Sequence, residues 1–239
     1  MTSNFKDKKA IVLGGTSGIG LATVKLLQQA GAEVVAASRR GRIAEKLPGI
    51  RVDAVDVLDR NALSEFFIRH GPMDYLVNAA TGGPRAMGPF LEMDLDGFQG
   101  SFAKLWGYTN SVRIGGHHVN AGGALVLVSG YPARKCGPGY IAISTVGNAV
   151  EGFVRGMAPE LAPIRINAVS PGLIDTPMFA QEGEERQQFF ENGTRQHLVQ
   201  RAGKAEEVAK GILFLLENEF VTGTVLDVDG GALLSQAAG

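Results

Sequence analysis

The sequence is poor in cysteine and tryptophan and carries no excess of either charge. Its 239 residues include one cysteine, Cys136, and one tryptophan. A single cysteine excludes an intrachain disulfide. The formal net charge is −1, and both signs are scattered along the chain. This balance gives no reason to expect a nucleic-acid partner or a membrane-surface partner.

Membrane, export and metal-binding patterns are also missing. No apolar run reaches the roughly 18 residues that a membrane span needs. The polar, lysine-rich segment 1–9 is not followed by an apolar segment of signal-peptide length. His117 and His118 have no cysteine or acidic cluster beside them, so no metal site is predicted. We therefore expect a cytoplasmic protein that acts on a small molecule.

The chain contains 33 glycines, and 45% of its residues are hydrophobic. Short apolar runs predict strands at 10–13, 34–37, 52–55, 75–77, 124–128, 165–169 and 224–228. Helical patterns predict helices at 18–30, 61–69, 98–112, 141–157 and 206–216. Such an alternation is typical of an α/β fold, a doubly wound parallel sheet with helices on both faces. We expect one Rossmann-type domain over residues 1–239.

The segment 177–201 has the least regular pattern. It is polar and acidic, with Phe179, Phe189 and Phe190 embedded in it. A long irregular insertion near the end of a sheet is often a substrate lid. We interpret this segment as a lid, and a solvated helical excursion remains the alternative.

A glycine-rich segment, Gly-Gly-Thr-Ser-Gly-Ile-Gly at 14–20, joins the first predicted strand to the first helix. Gly14 allows the chain to turn, Gly18 allows the backbone to approach a pyrophosphate, and Gly20 allows the helix to pack on the sheet. The N–H groups at the start of the helix then face the phosphates. The segment therefore predicts a dinucleotide site, to which we also assign Thr16, Ser17 and Ile19.

The end of the second predicted strand distinguishes the two nicotinamide cofactors. NAD-binding proteins usually place an acidic residue there, on the ribose 2′-hydroxyl. This chain has Ser38, Arg39 and Arg40 instead. Two guanidinium groups suit a 2′-phosphate, so the residues favour NADP(H) over NAD(H). The alternative is a solvated surface pair.

These motifs resemble the short-chain dehydrogenase/reductase family, in order and over nearly the whole chain. Asp56-Val57 resembles the pair that contacts adenine, and 78–81 resembles a degraded Asn-Asn-Ala-Gly motif. Pro171-Gly172 and Thr176 resemble the segment that meets the nicotinamide. Further matches lie at 201–203, 206–209, 221–223 and 228–231. The resemblance implies cofactor contacts from Asp56, Val57, Asn78, Ala79, Pro171, Gly172, Ile174 and Thr176.

The family's catalytic residues are a serine, a tyrosine and a lysine, and the resemblance places their positions here. The segment 149–161 matches the later part of the family's active-site helix, and 138–139 matches its upstream Pro-Gly. Both matches place the serine, tyrosine and lysine at Gly130, Ile143 and Gly147. All three functional side chains are therefore predicted to be missing, and with them the tuned proton donor.

Three nearby residues are candidates to replace the proton donor. Tyr140 lies three residues before the tyrosine position, and Tyr131 lies in the loop bordering the expected pocket. The family's asparagine on the preceding helix falls at Lys104 or Leu105, and Lys104 could project into the pocket. The alternative for both tyrosines is loop packing or substrate lining.

Three functions are compatible with a chain that keeps the predicted cofactor residues but lacks the family's three catalytic side chains. The first is an NADP(H)-dependent oxidoreductase with a relocated or water-supplied proton, acting on an imine, an enone or an activated carbonyl. The second is a non-redox cyclase or isomerase with the dinucleotide as a wall of its pocket. The third is a non-catalytic NADP(H)-binding sensor or assembly subunit. The resemblance also implies a homodimer or homotetramer, with contacts through the C-terminal strand and the helix at 141–157.

Overall fold

In a computed structural model, which describes residues 5–43, 47–81, 83 and 85–235, the chain builds one parallel sheet of seven strands. The strands of this sheet are Lys9–Leu13 (β1), Glu33–Ser38 (β2), Arg51–Ala54 (β3), Met73–Asn78 (β4), Val119–Val128 (β5), Arg165–Pro171 (β6) and Val225–Val228 (β9). A separate short pair consists of Ile174–Asp175 (β7) and Gly203–Lys204 (β8). The helices are Gly18–Gln29 (α1), Arg60–His70 (α2), Leu95–Ser101 (α3), Ala103–Gly115 (α4), Ile141–Leu161 (α5), Gly183–Thr194 (α6) and Ala205–Glu217 (α7).

Alternate side chains of the central strands enter two different cores. Ile11 and Leu13 of β1 join a core with residues of α2, α4 and α5. Ala10 and Val12 of β1 join the opposite core, with residues of α1 and α7. A strand buried on both faces is continuously apolar, as β1 is from Ala10 to Leu13. This arrangement confirms the predicted fold class, a doubly wound sheet covered on both faces.

The order of the strands positions the functional site. The sheet runs β3-β2-β1-β4-β5-β6-β9. From β1 the chain first adds strands on one side and then, with β4, on the other. The β1/β4 boundary is therefore the topological switch point, where α/β sheets bind ligands at the carboxyl ends of the strands.

The region predicted as one helix at 98–112 is two helices in the structure. The prediction of a continuous helix is wrong, because α3 ends and α4 begins at Phe102. The Asp94 carboxylate caps α3 by accepting hydrogen bonds from the N–H groups of Asp96 and Gly97. Gly100 in the last turn of α3 weakens a continuous helix. The break places Lys104 in the first turn of α4.

The segment 177–201 is not irregular, because α6 occupies its middle. Phe179, Phe189 and Phe190 pack together, with ring centroids 5.2–5.4 Å apart. Arg186 lies over the Phe190 ring at 5.1 Å and donates to the Thr176 carbonyl at 2.9 Å. The three phenylalanines therefore form a small local core that ties α6 to the chain after β6.

Within the described residues, no helix is long and apolar enough to span a bilayer.

Candidate active site

The glycine loop lies at the switch point and is closed against its neighbours. The N–H groups of Gly14 and Gly15 donate to the Ala37 carbonyl of β2, at 2.8 and 3.1 Å. A Cβ on Gly14 would lie 2.7 Å from the backbone of Ala79. A Cβ on Gly20 would lie 2.1 Å from the Gly14 carbonyl oxygen. Both positions therefore require glycine.

The start of α1 has donors to offer an anion. Ser17 is the N-cap, but its side chain makes no capping hydrogen bond, and the first turn carries no acidic residue. The first N–H groups of a helix lack internal partners and attract phosphate. A Cβ on Gly18 would lie 3.5 Å from the Thr176 side chain. The fold thus brings Gly18 and Thr176, two predicted cofactor residues distant in sequence, to one cleft.

Arg39 and Arg40 follow β2 directly, at the same edge of the sheet. Both are exposed, and within the described part of the chain neither forms an ion pair. Gly41, with φ +56°, turns the chain back, and its N–H donates to the Ser38 carbonyl at 3.1 Å. Two exposed guanidinium groups beside a glycine cradle fit a dinucleotide with a 2′-phosphate.

Asn78, at the end of β4, has a fully buried side chain. Its Nδ2 donates to Ser111 Oγ at 2.9 Å, and its Oδ1 accepts from the Ala80 N–H at 3.0 Å. The side chain thereby positions the backbone of Ala79 and Ala80 against Gly14. A cofactor contact at Asn78 would therefore come from the backbone.

The remaining predicted cofactor residues border the same cleft from either side. Val57 is buried, and the Asp56 carboxylate accepts the Leu58 N–H at 3.0 Å.

After β6, Gly172 has no space for a Cβ, which would lie 2.6 Å from the Asp229 carbonyl. Pro171 ends β6, and Ile174 is buried where β7 pairs with Gly203. This close packing holds the backbone that leads to Thr176.

The three positions predicted for the family's catalytic residues differ in how they would accept a side chain. Gly130 has extended backbone, and a Cβ there would meet Pro132 at an ordinary 3.5 Å. Ile143 is half-buried in the first turn of α5. A Cβ on Gly147 would lie 2.8 Å from the Ala133 Cβ. The 3₁₀ turn Tyr131–Ala133 is therefore packed against α5 where the family lysine would begin.

This packing predicts opposite effects of alanine at two glycines of α5. We expect Gly147→Ala to lower the free energy of unfolding by about 1–3 kcal/mol, because the methyl group overlaps Ala133. Among the described residues, nothing lies within 4 Å of a Cβ on the matched control Gly152. Gly152→Ala should raise the free energy of unfolding by up to about 1 kcal/mol. Urea titration followed by circular dichroism measures both, and equal effects would show that the turn does not press on α5.

Lys104 brings a cation to this region from α4. Its Nζ donates to the Ser129 carbonyl at 3.2 Å, next to Gly130, and its side chain is 9% exposed. Ser129 Oγ in turn lies 3.4 Å from the Gly147 carbonyl oxygen and 3.2 Å from Glu151 Oε1, two acceptors that share its one hydroxyl hydrogen. Burial, and then repulsion by Arg85, lower the pKa of Lys104 to about 7. Through Ser129, the ammonium is therefore linked to the surroundings of both Gly130 and Gly147.

The two tyrosines are less suited to proton transfer. Tyr131 is half-buried, with its ring 6.1 Å from that of His197, and burial raises its pKa. A raised pKa makes a phenol a weaker acid at neutral pH. Tyr140 is the N-cap of α5 and is 39% exposed. It precedes the helix, as predicted, and faces solvent.

Arg85 is a residue that the sequence reasoning missed. It follows β4 and is partly buried, and its Nη2 lies 2.6 Å from Met178 Sδ, in the segment after Thr176. Burial lowers its pKa. Its position on the loop after β4 was a usable signal, because that loop leaves the sheet at the same edge as the glycine loop.

Comparison with known proteins gives matches over nearly the whole chain. The family model described as Enoyl-(Acyl carrier protein) reductase matches residues 14–232. L-xylulose reductase of Mesocricetus auratus is 32% identical, over 98% of this chain and 100% of that protein. Carbonyl reductase [NADPH] 2 of Sus scrofa is 31% identical, over 98% of this chain and 100% of that protein.

A solved structure matches at the level of the fold and of the sequence. It is described as a small-chain dehydrogenase in complex with NADPH. It superposes with a TM-score of 0.86 at 30% identity, and the match covers 95% of this chain and 99% of that one.

Proposed function

Because the chain belongs to the short-chain dehydrogenase/reductase family, we propose that it is an NADP(H)-dependent oxidoreductase that takes its proton from Lys104 in place of the family's tyrosine. The proposed substrates are imines, enones or activated carbonyls. The observation that carries the proposal is the buried Lys104 ammonium on the Ser129 carbonyl, beside Gly130.

The cofactor is NADP(H), which the NADPH-bound structural neighbour and the NADPH-dependent relative both support. The cradle fits it, since Gly14 and Gly20 have no space for a side chain and Arg39 and Arg40 stand exposed at the ribose end. The backbone at Ala79 and the side chain of Thr176 are proposed to complete the site. Bound NADP(H) supplies or accepts a hydride.

Lys104 can hold and release a proton near neutral pH. A donor is most effective when its pKa lies near the working pH, and that of Lys104 is about 7. The Ser129 carbonyl orients the ammonium, and the water-poor surroundings strengthen its interaction with a developing negative charge. With glycine at 130 and isoleucine at 143, no hydroxyl pair polarises an ordinary ketone. The proposed substrates are therefore electrophiles whose reduction depends little on a strong proton donor.

NADPH consumption tests this proposal. The protein is incubated with NADPH and, in turn, a cyclic imine, an enone and an activated ketone, and absorbance at the reduced nicotinamide band is followed with product analysis. We expect consumption with at least one class. Tight NADPH binding without consumption by any of them would contradict the proposal. Product formed with no NADPH consumed would instead support a non-redox cyclase or isomerase.

We also propose that 177–201 acts as a lid over the substrate. Its Met178 contacts Arg85 across the cleft, and Arg186 ties α6 to the chain at Thr176. Closure of such a segment would exclude water from the reacting groups.

Self-association is a further proposal. A cleft of about 560 Å³ lies between α4, α3 and the start of α2, and a second cleft of about 370 Å³ lies between α4 and α5. Both border Trp106, which is 55% exposed. A large exposed aromatic in a groove is typical of an interface. We expect a homodimer or homotetramer, which light scattering measures directly, and a monomer would contradict it.

A further inference from the structure

Two cationic side chains share the cleft that holds the missing catalytic positions. Arg85 comes from the loop after β4, and Lys104 comes from α4. The loop that carries Arg85 lies against the start of α4, because the Ala86 N–H donates to Ser101 Oγ at 2.8 Å and a Cβ on Gly83 would lie 3.9 Å from the Ala103 Cβ. Repulsion from the Arg85 guanidinium accordingly contributes to the lowered pKa of Lys104. Burial disfavours the charge on each of them. The fold therefore keeps two like charges together in a partly desolvated place, which costs free energy in the unliganded protein.

No carboxylate of the described residues compensates them. Neither Arg85 nor Lys104 forms an ion pair there. Glu151 is buried nearby in the chain of contacts from Ser129, but its carboxylate is 3.3 Å from Arg134 Nε and accepts from Ser129 Oγ at 3.2 Å. The Glu151 carboxylate therefore already has Arg134 and Ser129 as partners.

Within the described part of the chain, the Arg85 guanidinium has one hydrogen-bond contact, to a weak acceptor. A guanidinium has five N–H donors in a planar fork that matches two carboxylate oxygens. Arg85 contacts the Met178 thioether at 2.6 Å, and thioether sulfur is a weak acceptor. A partly buried arginine with a weak partner offers a strong anion a clear gain in hydrogen bonding.

The position of the pair indicates substrate rather than cofactor. The cofactor phosphates are expected at Gly14–Gly20 and at Arg39, on the β1 and β2 side. Lys104 instead binds the carbonyl at the end of β5, and Arg85 reaches the segment after Thr176. We propose that Arg85, supported by the charge of Lys104, binds a carboxylate group of the substrate. This inference rests on the proposed function for its reducible group, and it narrows the substrate to an acidic imine, enone or activated carbonyl.

Two probes test the anion site in the NADPH-loaded protein. Benzoate, which has no reducible group, is titrated by calorimetry. 3-Benzoylacrylate and its methyl ester are compared as enone substrates with and without the negative charge, and because the ester is also the more electrophilic alkene, their ratio is compared between the wild type and the Arg85 variants. We expect benzoate to bind, and kcat/KM to be at least about tenfold higher for the acid than for the ester, the scale of a charge-assisted pair.

Variants at Arg85 locate the effect. Arg85→Gln should weaken benzoate binding and lower the ratio of kcat/KM for the acid to kcat/KM for the ester by about tenfold or more. Arg85→Lys should keep part of both, since it retains the charge without the fork. Arg51→Gln is the matched control, because Arg51 is an exposed arginine at the amino end of β3, whereas the cleft lies at the carboxyl ends of the strands. It should behave as the wild type.

The outcomes separate the site from the reaction. Benzoate binding that needs Arg85, without turnover of either enone, would support the anion site and contradict the proposed reduction. Turnover with an acid-to-ester ratio that Arg85→Gln leaves unchanged would support the reduction and overturn the anion site, as would a wild-type protein that does not bind benzoate. An Arg85→Gln effect confined to the affinity for NADPH would assign Arg85 to a cofactor phosphate and also overturn the inference.

Discussion

Replacing Lys104 by methionine should lower kcat for NADPH-dependent reduction by about 10²–10⁴-fold, the usual contribution of a positioned general acid. Methionine keeps the length and apolar stem of the side chain and removes the ammonium. The affinity for NADPH should change little, because the cradle residues lie on other elements. A loss in kcat without a loss in cofactor binding is the signature of an interaction made in the transition state. Steady-state kinetics and fluorescence titration of NADPH separate the two quantities.

The pH dependence of the same reaction has a definite sign. Reduction needs the ammonium form of Lys104, so kcat/KM, which reports the protein without substrate, should fall as the pH rises through about 7. The Lys104→Met protein should lose this dependence. Arg85→Gln should move the midpoint to higher pH, because the charge of Arg85 helps to lower the pKa of Lys104. A wild-type rate that rises through this range would contradict the assignment of Lys104 as the acid.

Matched tyrosine variants distinguish Lys104 from the two alternative proton donors. Tyr131→Phe and Tyr140→Phe should retain most of the activity. Loss of turnover in either one, with retention in Lys104→Met, would reverse the assignment.

Thermal unfolding separates a lost proton donor from a damaged fold. Lys104→Met should unfold at no lower temperature than the wild type. The unfolded lysine keeps its proton up to pH 10.5, whereas the folded one keeps it only to about 7. The buried ammonium is therefore a cost at and below neutral pH, and removing it cannot destabilise the protein through charge.

Reversing the charge at Arg39 should change the preference for NADPH over NADH by about 10²–10³-fold. Arg39→Asp removes a charge-assisted fork worth about 1.5–3 kcal/mol and places a carboxylate beside the 2′-phosphate. The same carboxylate can accept a hydrogen bond from the ribose 2′-hydroxyl of NADH. Most of the change should be a weaker Kd for NADPH, with a smaller gain for NADH.

The control for this prediction is Arg51→Asp, the same change in net charge at an exposed strand residue outside the cleft. It should leave both dissociation constants within about twofold, because an exposed charge beyond the Debye length is screened at ordinary salt. Arg40→Asp shows whether the second guanidinium shares the phosphate. An unchanged preference in both Arg39→Asp and Arg40→Asp would mean that the two arginines are only a solvated surface pair.

The periodicity of the chain predicted the sheet and most of its helices. It succeeded for β1, β5 and α7 because a buried strand or an amphipathic helix carries its own pattern of apolar residues. It failed at Phe102, where two short helices meet, and at 177–201, where three phenylalanines form a local core around α6. In both places the structure depends on contacts between side chains rather than on a repeat along the chain.

The cofactor half of the site was also accessible from local patterns. Gly14 and Gly20 are written in the sequence because a backbone that must pass within van der Waals distance of another backbone permits no Cβ. Arg39 and Arg40 were predicted as cofactor residues from their place at the end of a strand. That Gly130, Ile143 and Gly147 stand at the family's catalytic positions remains a prediction from the resemblance. It depends on how this chain is aligned with the family.

The sequence by itself determined the α/β class, the glycine cradle and the preference for a 2′-phosphate, because each is encoded by neighbouring residues on one or two elements. The tertiary structure alone decided that Ala133 presses on Gly147, that Lys104 reaches Ser129, and that Arg85 from the next loop joins it without a carboxylate partner among the described residues. The physical reason is that burial and charge repulsion are properties of a place in the fold. Groups on separate loops and helices meet there only after the strands have been ordered.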